Sequence, residues 1–312
     1  INLKRMSNPI LALIPSGYKA QEVYSVIPSD GSGDFAFNRN NGKATRVNKD
    51  GLIEEVLDDT PRLDYLNSTC PSLLLEGEKT NELSRSEDFN NWTKINITIV
   101  SDSTTSPSGD LSADTITRNS ALTSYITKTF VKEDSDQYEV TLSVFVKKNV
   151  GDFFAMRTQG TYPNRADAIF QFSTKTFTTS QAGADFQFIS AAYKEYDNDW
   201  YRLSLKVETD FASVVACLFS ARSISGQVDS TDSSSDSSVF LWGAQCEYNS
   251  LTSYIPTDSA IKTRFAETCT VTTPADVTTI TETFADNTTN IITTIPTTFS
   301  ASIKEIKKII MD

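Results

Sequence analysis

The sequence contains no histidine. That absence removes Ser-His-Asp and Cys-His nucleophilic catalysis, histidine proton relays and nearly every catalytic zinc site. Carboxylate chemistry, as in glycoside hydrolysis between two Asp or Glu side chains, is the enzymatic route that survives. Cysteine is scarce as well: Cys70, Cys217, Cys246 and Cys269 lie far apart and form no CxxC pair, so neither a metal cluster nor a redox motif is expected. Cys217 and Cys246 fall in apolar segments, where a free thiol packs as a small hydrophobe. No apolar run approaches the roughly 20 residues that cross a bilayer as a helix. The apolar patch in the opening "INLKRMSNPILALIPSGYKA" is too short for a span or a signal peptide. Basic residues are in deficit, 28 Lys and Arg against 40 Asp and Glu, for a net charge of −12. Such a surface repels phosphate backbones and anionic headgroups, so neither nucleic acid nor membrane insertion is expected, and no cofactor is implied.

What is present reads as β-structure. The hydrophobic fraction of 38% and the aromatic fraction of 10% suffice for a core with arms or loops outside it. "YEVTLSVFVKK" places Tyr138, Val140, Leu142, Val144 and Val146 on one face and mostly polar residues on the other, the period of an antiparallel strand. "WYRLSLKVE" repeats it with Tyr201, Leu203, Leu205 and Val207 inward. With "WTKINITIV", "SYITKTFV", "DFFAMRTQ", "AIFQFSTKTF", "DFQFISAAYKEY" and "FASVVACLFSAR", these segments predict an antiparallel β-sandwich, a jelly roll, over residues 85–257. "VFLWGAQCEYNSLTSYIPT", residues 239–257, carries Phe240 and Trp242 on one face and Val239 and Leu241 on the other. A strand apolar on both faces is a central strand with something packed over its outer side, here expected to be the N-terminal segment. Pro256 then ends the ladder.

Residues 1–84 read as an extended N-terminal arm with short strands, such as "DFAFNR" with Phe35 and Phe37 on one face, and with a Leu73, Leu74, Leu75 run that must bury. Residues 258–312 read as a Thr-rich C-terminal β-hairpin tail, too few strands to stand alone. "GQVDSTDSSSDSS", residues 226–238, reads as a solvated loop between strands; its carboxylates also suggest a calcium loop, but the spacing matches no EF-hand.

Two places merit a chemical reading. Asp197 and Asp199 in "YKEYDNDWYR" are the nearest approach to a catalytic carboxylate pair, and equally read as a turn before a strand. "MRTQGTYPNRAD" gathers Arg157, Gln159, Tyr162, Asn164 and Arg165 around one loop. An aromatic face for a sugar ring, with polar groups for hydroxyls, makes these residues the candidate glycan-binding site, against the plain reading of an exposed loop.

The pattern of Trp242, Gly243, Ala244, Gln245 and Glu247, followed by Thr252 to Thr257 and by Thr263 and Arg264, resembles a recurring segment of tailed-phage virion proteins. "GDFAFNRNNGKATRVNKDGLIEEV", "PRLDY", "CPSLLLEGEKTNELSRSEDFNNWTK" and "IPTTFSASIKEIKKIIMD" resemble successive landmarks of the same proteins, particularly those of phages of Bacteroidota such as crAss-like phages. The chain departs from that pattern at "GEKTNELSR", where relatives more often read a Leu-rich "TNLL". The resemblance implies a non-enzymatic structural protein located in the virion, a head fibre or tail-fibre-like adhesin. It implies a homo-oligomer, often a trimer, built around a jelly roll similar to carbohydrate-binding modules. On this reading the arm anchors to other virion proteins (capsid, portal or tail), the tail makes assembly contacts, and the body engages host-surface polysaccharide. A capsid decoration or connector protein without a receptor, and a carboxylate-based glycan-degrading enzyme, are the alternatives.

Overall fold

In the computed structural model, described for residues 8–66, 68–132, 138–209 and 214–312, the chain is all-β, as expected; the described residues add one 3-10 turn at Phe89–Asn91. Two compact units divide it: residues 79–263, and the two chain ends up to residue 78 and from residue 264.

The middle unit holds two six-stranded antiparallel sheets. The first runs, edge to edge, Ile97–Thr105, Leu111–Arg118, Ser238–Tyr248, Glu139–Val150, Trp200–Glu208, Gln187–Tyr196. The second runs Thr176–Ala182, Arg165–Gln171, Phe153–Gln159, Val214–Arg222, Tyr125–Val131, Thr93–Ile95. Without the two edge strands of each sheet, eight inner strands remain. Counted in chain order they lie 1-8-3-6 in the first sheet and 5-4-7-2 in the second, the double Greek key of a jelly roll. The core between the sheets takes Val140, Leu142, Val144 and Val146 from one side and Phe154, Met156, Phe170 and Phe219 from the other. Cys217 and Cys246 are fully buried within it. Strict alternation along these strands is what sends their apolar side chains to one shared interior.

Besides "WTKINITIV", which splits at Asn96 into Thr93–Ile95 of the second sheet and the start of Ile97–Thr105 of the first, the sequence patterns differ from this structure in three places. Tyr138 lies ahead of its strand and stays half exposed. "AIFQFSTKTF" is not one strand but parts of two: residues 172–175 turn, with Lys175 at φ 55°, and Phe170 pairs with Phe177 across the hairpin. The third is a β-bulge in Ser238–Tyr248. Ser143 pairs with Gln245 but Phe145 with Trp242, so the chain inserts a residue at Gly243, whose φ is +60°. Inward-facing parity therefore changes from Val239 and Leu241 to Ala244 and Cys246. Gln245 and Glu247 turn outward.

The chain ends do not form an arm and a tail. They share one antiparallel sheet in which Glu305–Met311 lies between Ile280–Phe284 and Leu11–Lys19, and Thr268–Thr272 pairs with Phe35–Asn38. Leu11, Leu13, Phe35 and Phe37 from one end close a core with Cys269, Ile280, Phe299, Ile306 and Ile309 from the other. Strands of the N-terminal end lie between two groups of strands from the C-terminal end, so neither end closes this core alone. The unit boundaries fall at 78/79 and 263/264 rather than at 84/85 and 257/258, because residues 79–86 pack in the sandwich.

A buried ionic cluster ties the two ends. Glu267 accepts from Arg39 Nε at 3.2 Å, from Arg62 Nε at 2.8 Å and from the backbone N–H of Glu76 at 2.8 Å. Arg62 also meets Glu76 at 2.9 Å, and Arg264 meets it at 2.7 Å. Burial alone would lower the Arg62 pKa, but the facing Glu267 and Glu76 carboxylates hold it raised.

Candidate functional site

The most recognisable segment proves to be architecture. After the bulge, Ser238–Tyr248 loses Leu111–Arg118 as its neighbour, and residues 81–86 take that place: Glu82 N–H donates to the Cys246 carbonyl at 2.9 Å and Ala244 N–H to the Ser86 carbonyl at 2.8 Å. The Asn81 side chain donates to the carbonyls of Ala244 and Ile255 and accepts from Cys246 N–H. Residues 252–257, expected to lead the chain away at Pro256, instead fold back over the outer face. Ile255 N–H donates to Gln245 Oε1 at 2.7 Å, Arg202 Nη1 to the Thr252 carbonyl at 2.8 Å, and Thr252 N–H to Glu247 Oε2 at 3.0 Å. Under this flap Trp242 and Tyr254 sit 4.6 Å apart, both packed on Phe145, and Arg202 lies 5.2 Å from the Phe145 ring centroid. The outer cover of the central strand is thus largely its own C-terminal continuation. Burial pushes the Glu247 carboxyl and the Tyr254 phenol up.

The five candidate glycan-binding residues lie at one end of the second sheet, but they do not act alike. Arg157 is buried: its Nε donates to Asp167 Oδ1 at 2.7 Å, and its two Nη atoms grip Asp229 at 2.9 and 2.8 Å. Gln159 Oε1 accepts from Arg157 Nη1 at 3.3 Å. Asn164 is a brace, its Oδ1 accepting from Ala184 N–H and Asp185 N–H at 3.0 and 3.2 Å. Gly183, at φ +84°, allows that approach, since a Cβ there would stand 2.1 Å from Asn164 Oδ1. Arg165 donates to Gln227 Oε1 at 3.3 Å and lies 5.5 Å from the Tyr162 ring centroid. Tyr162 itself is 77% exposed, the most exposed large apolar side chain among the described residues. The loop therefore presents one ring on a braced support, with Arg157 as part of the support rather than of the surface. No local pattern signals that, because an arginine inside an alternating strand reads as an outward polar residue.

Residues 226–238 are not a loosely solvated loop. Val228 inserts into a small apolar cluster with Ala155, Ile169 and Leu218 on the outer face of the second sheet. Arg222, fully buried, donates to the carbonyls of Gln227, Ser230 and Thr231. Arg118 below it donates to the Leu122 carbonyl and to Ser220. The hydrogen bond from Arg157 holds the Asp229 carboxyl below its ordinary range, whereas burial pushes Asp167 up. Among the described residues no three His, Cys, Asp or Glu side chains converge as a metal site. Arg157 and Arg222, whose burial was missed from sequence, hold this loop through Asp229 and three backbone carbonyls.

Asp197 and Asp199 occupy the hairpin turn between Gln187–Tyr196 and Trp200–Glu208, with Asn198 and Asp199 at φ 59° and 62°. Two successive left-handed residues are the geometry of a tight hairpin. Both side chains are exposed, and the pair forms a turn tip.

No protein-family model and no curated protein matches the chain. Among solved structures it is similar to the enzymatically active domain of tailspike protein 4 of bacteriophage CBA120, with 10% identity and a TM-score of 0.31, over 53% of this chain and 21% of that one. The chain spans about a fifth of that structure's length.

Proposed function

We propose that the chain is a structural protein of a tailed-phage particle, a fibre- or spike-like appendage without enzymatic activity. Its jelly roll engages host-surface polysaccharide, and the unit built from the chain ends makes contacts within a homotrimer and with other virion proteins. The observation that carries this reading is the role of the segments resembling phage virion proteins. "SEDFNNW" and "WGAQCEYNSLTSYIPT" are hydrogen-bonded to each other as one piece of the sandwich, with Ala244 N–H donating to the Ser86 carbonyl and the Ser86 hydroxyl bonded to that of Tyr254. A resemblance lodged in residues that hold a fold together is a resemblance of fold, and supports a common architecture with those proteins. Tyr162 supports the binding role, because an exposed aromatic ring on a rigid loop is a platform for a sugar face.

The test is binding of the labelled full chain to cells of the phage host, with and without enzymatic removal of their surface polysaccharide. The reading expects saturable binding that removal abolishes, and no release of reducing ends from the isolated polysaccharide. Release that depends on Asp197 and Asp199 would make the chain an enzyme instead.

A decoration or connector role without receptor is the second reading. It is favoured by the outward face of the end unit, where Ile14, Tyr24 and Val26 remain exposed on one hairpin.

A further inference from the structure

Resting on the glycan-binding reading above, we infer that the surface around Tyr162 takes an uncharged glycan and discriminates against acidic polysaccharides. The inference comes from how the charges there are already used. Arg157 faces two carboxylates, with Asp167 at 2.7 Å and Asp229 at 2.8 Å. Arg165, its side chain only 15% exposed, spends its guanidinium on Gln227, on the Pro163 carbonyl at 3.5 Å and on Asp167 at 3.7 Å. Two arginines and two aspartates sum to zero, and the exposed member of the set is an anion: the Asp229 side chain is 36% exposed, that of Arg157 only 2%.

A carboxylated or sulfated sugar approaching Tyr162 therefore meets, among the described residues, two arginines that already face carboxylates, with Arg165 Nε the one guanidinium atom of the pair that has no hydrogen-bond partner. An anion pairing with Arg165 would sit close to the Asp167 and Asp229 carboxylates, on a chain whose net charge is −12. What the surface offers instead is neutral. Around Arg165 lie the side chain of Gln159, its cross-strand partner, and that of Gln227, which accepts from Arg165 Nη2 and donates to Ser180 at 2.9 Å. Amides and hydroxyls donate and accept at once, which suits sugar hydroxyls. The Tyr162 ring, backed by Arg165, gives an apolar face for a pyranose ring.

The experiment is binding of the full chain, by titration calorimetry at two ionic strengths, to uncharged oligosaccharides (maltohexaose, mannohexaose, cellohexaose) and to acidic ones (oligoalginate, oligogalacturonate, hyaluronan hexamer). The expected result is binding confined to the uncharged set, insensitive to salt, weakened at least tenfold by Tyr162→Ala and retained by Tyr162→Phe, with unchanged thermal unfolding for both variants. Stronger binding to the acidic set, weakening with salt, would overturn the inference while leaving glycan binding in place. Binding to neither set would overturn the inference together with the reading on which it rests. Neutral binding unaffected by Tyr162→Ala would overturn the assignment of the surface.

Discussion

Arg62 and Glu267 form a two-pronged ion pair with both side chains fully buried, one from each end of the chain. Partners 205 positions apart close the unit that the two ends share. Removing one member of a buried pair leaves the other charge without compensation, at a cost of about 3–5 kcal/mol. Glu267→Gln is expected to lower the stability of the end unit by that amount. In denaturant titration followed through unit-specific probes, the unfolding of residues 79–263 should stay where it is.

Gly243 marks the parity change of the central strand. A Cβ there would stand 2.9 Å from Phe145 Cδ2 and 3.2 Å from Tyr254 Cε2, at a φ of +60° that L-residues adopt reluctantly. Left-handed strain and overpacking together predict a loss of about 2–4 kcal/mol for Gly243→Ala. Chemical denaturation measures it directly. A change below about 0.5 kcal/mol would mean that the bulge is not held by these rings.

Asp114 accepts from Phe89 N–H and Asp102 N–H, both at 3.1 Å. Burial nonetheless raises its carboxyl from 3.8 to about 6. A carboxyl raised on folding binds its proton more tightly in the native state, so its contribution to stability is greatest below about pH 4 and falls as pH rises through about 6. Relative to Asp114→Asn, the wild type should lose up to about 3 kcal/mol between pH 4 and pH 7. A carboxyl-carbon NMR titration should show the midpoint near 6; a midpoint near 4 would contradict the account.

Arg222→Ala should release residues 226–238 without unfolding the sandwich, because its guanidinium holds three loop carbonyls while the core lies on the other face of the sheet. Limited proteolysis reads this as cleavage within the loop, absent from the wild type under the same conditions.

Much of the sandwich was legible because period-two alternation reports burial directly: Val140 to Val146 and Leu203 to Val207 lie where their spacing puts them. Alternation fails where the chain inserts a residue, so nothing in "WGAQCE" announced that Ala244 and Cys246 would face inward after Gly243. It is also silent on partners. The end unit depends on pairings such as Arg39 with Glu267, 228 positions apart, and no local pattern links them. The candidate site was half legible. The loop and its exposed Tyr162 follow from turn chemistry, but the consumption of Arg157, Asn164 and Arg165 by Asp167, Asp229, Gln227 and the 184–185 backbone is a tertiary fact.

The central claim is that the chain is part of a phage particle. The most direct measurement of that proposal is quantitative mass spectrometry of density-purified phage particles from the culture in which the chain is produced, with immunogold labelling of the same preparation. The account predicts the chain at a fixed copy number per particle, with label at one location on the head or tail. Its absence from particles that infect normally, with the protein recovered only from the lysate supernatant, would contradict it.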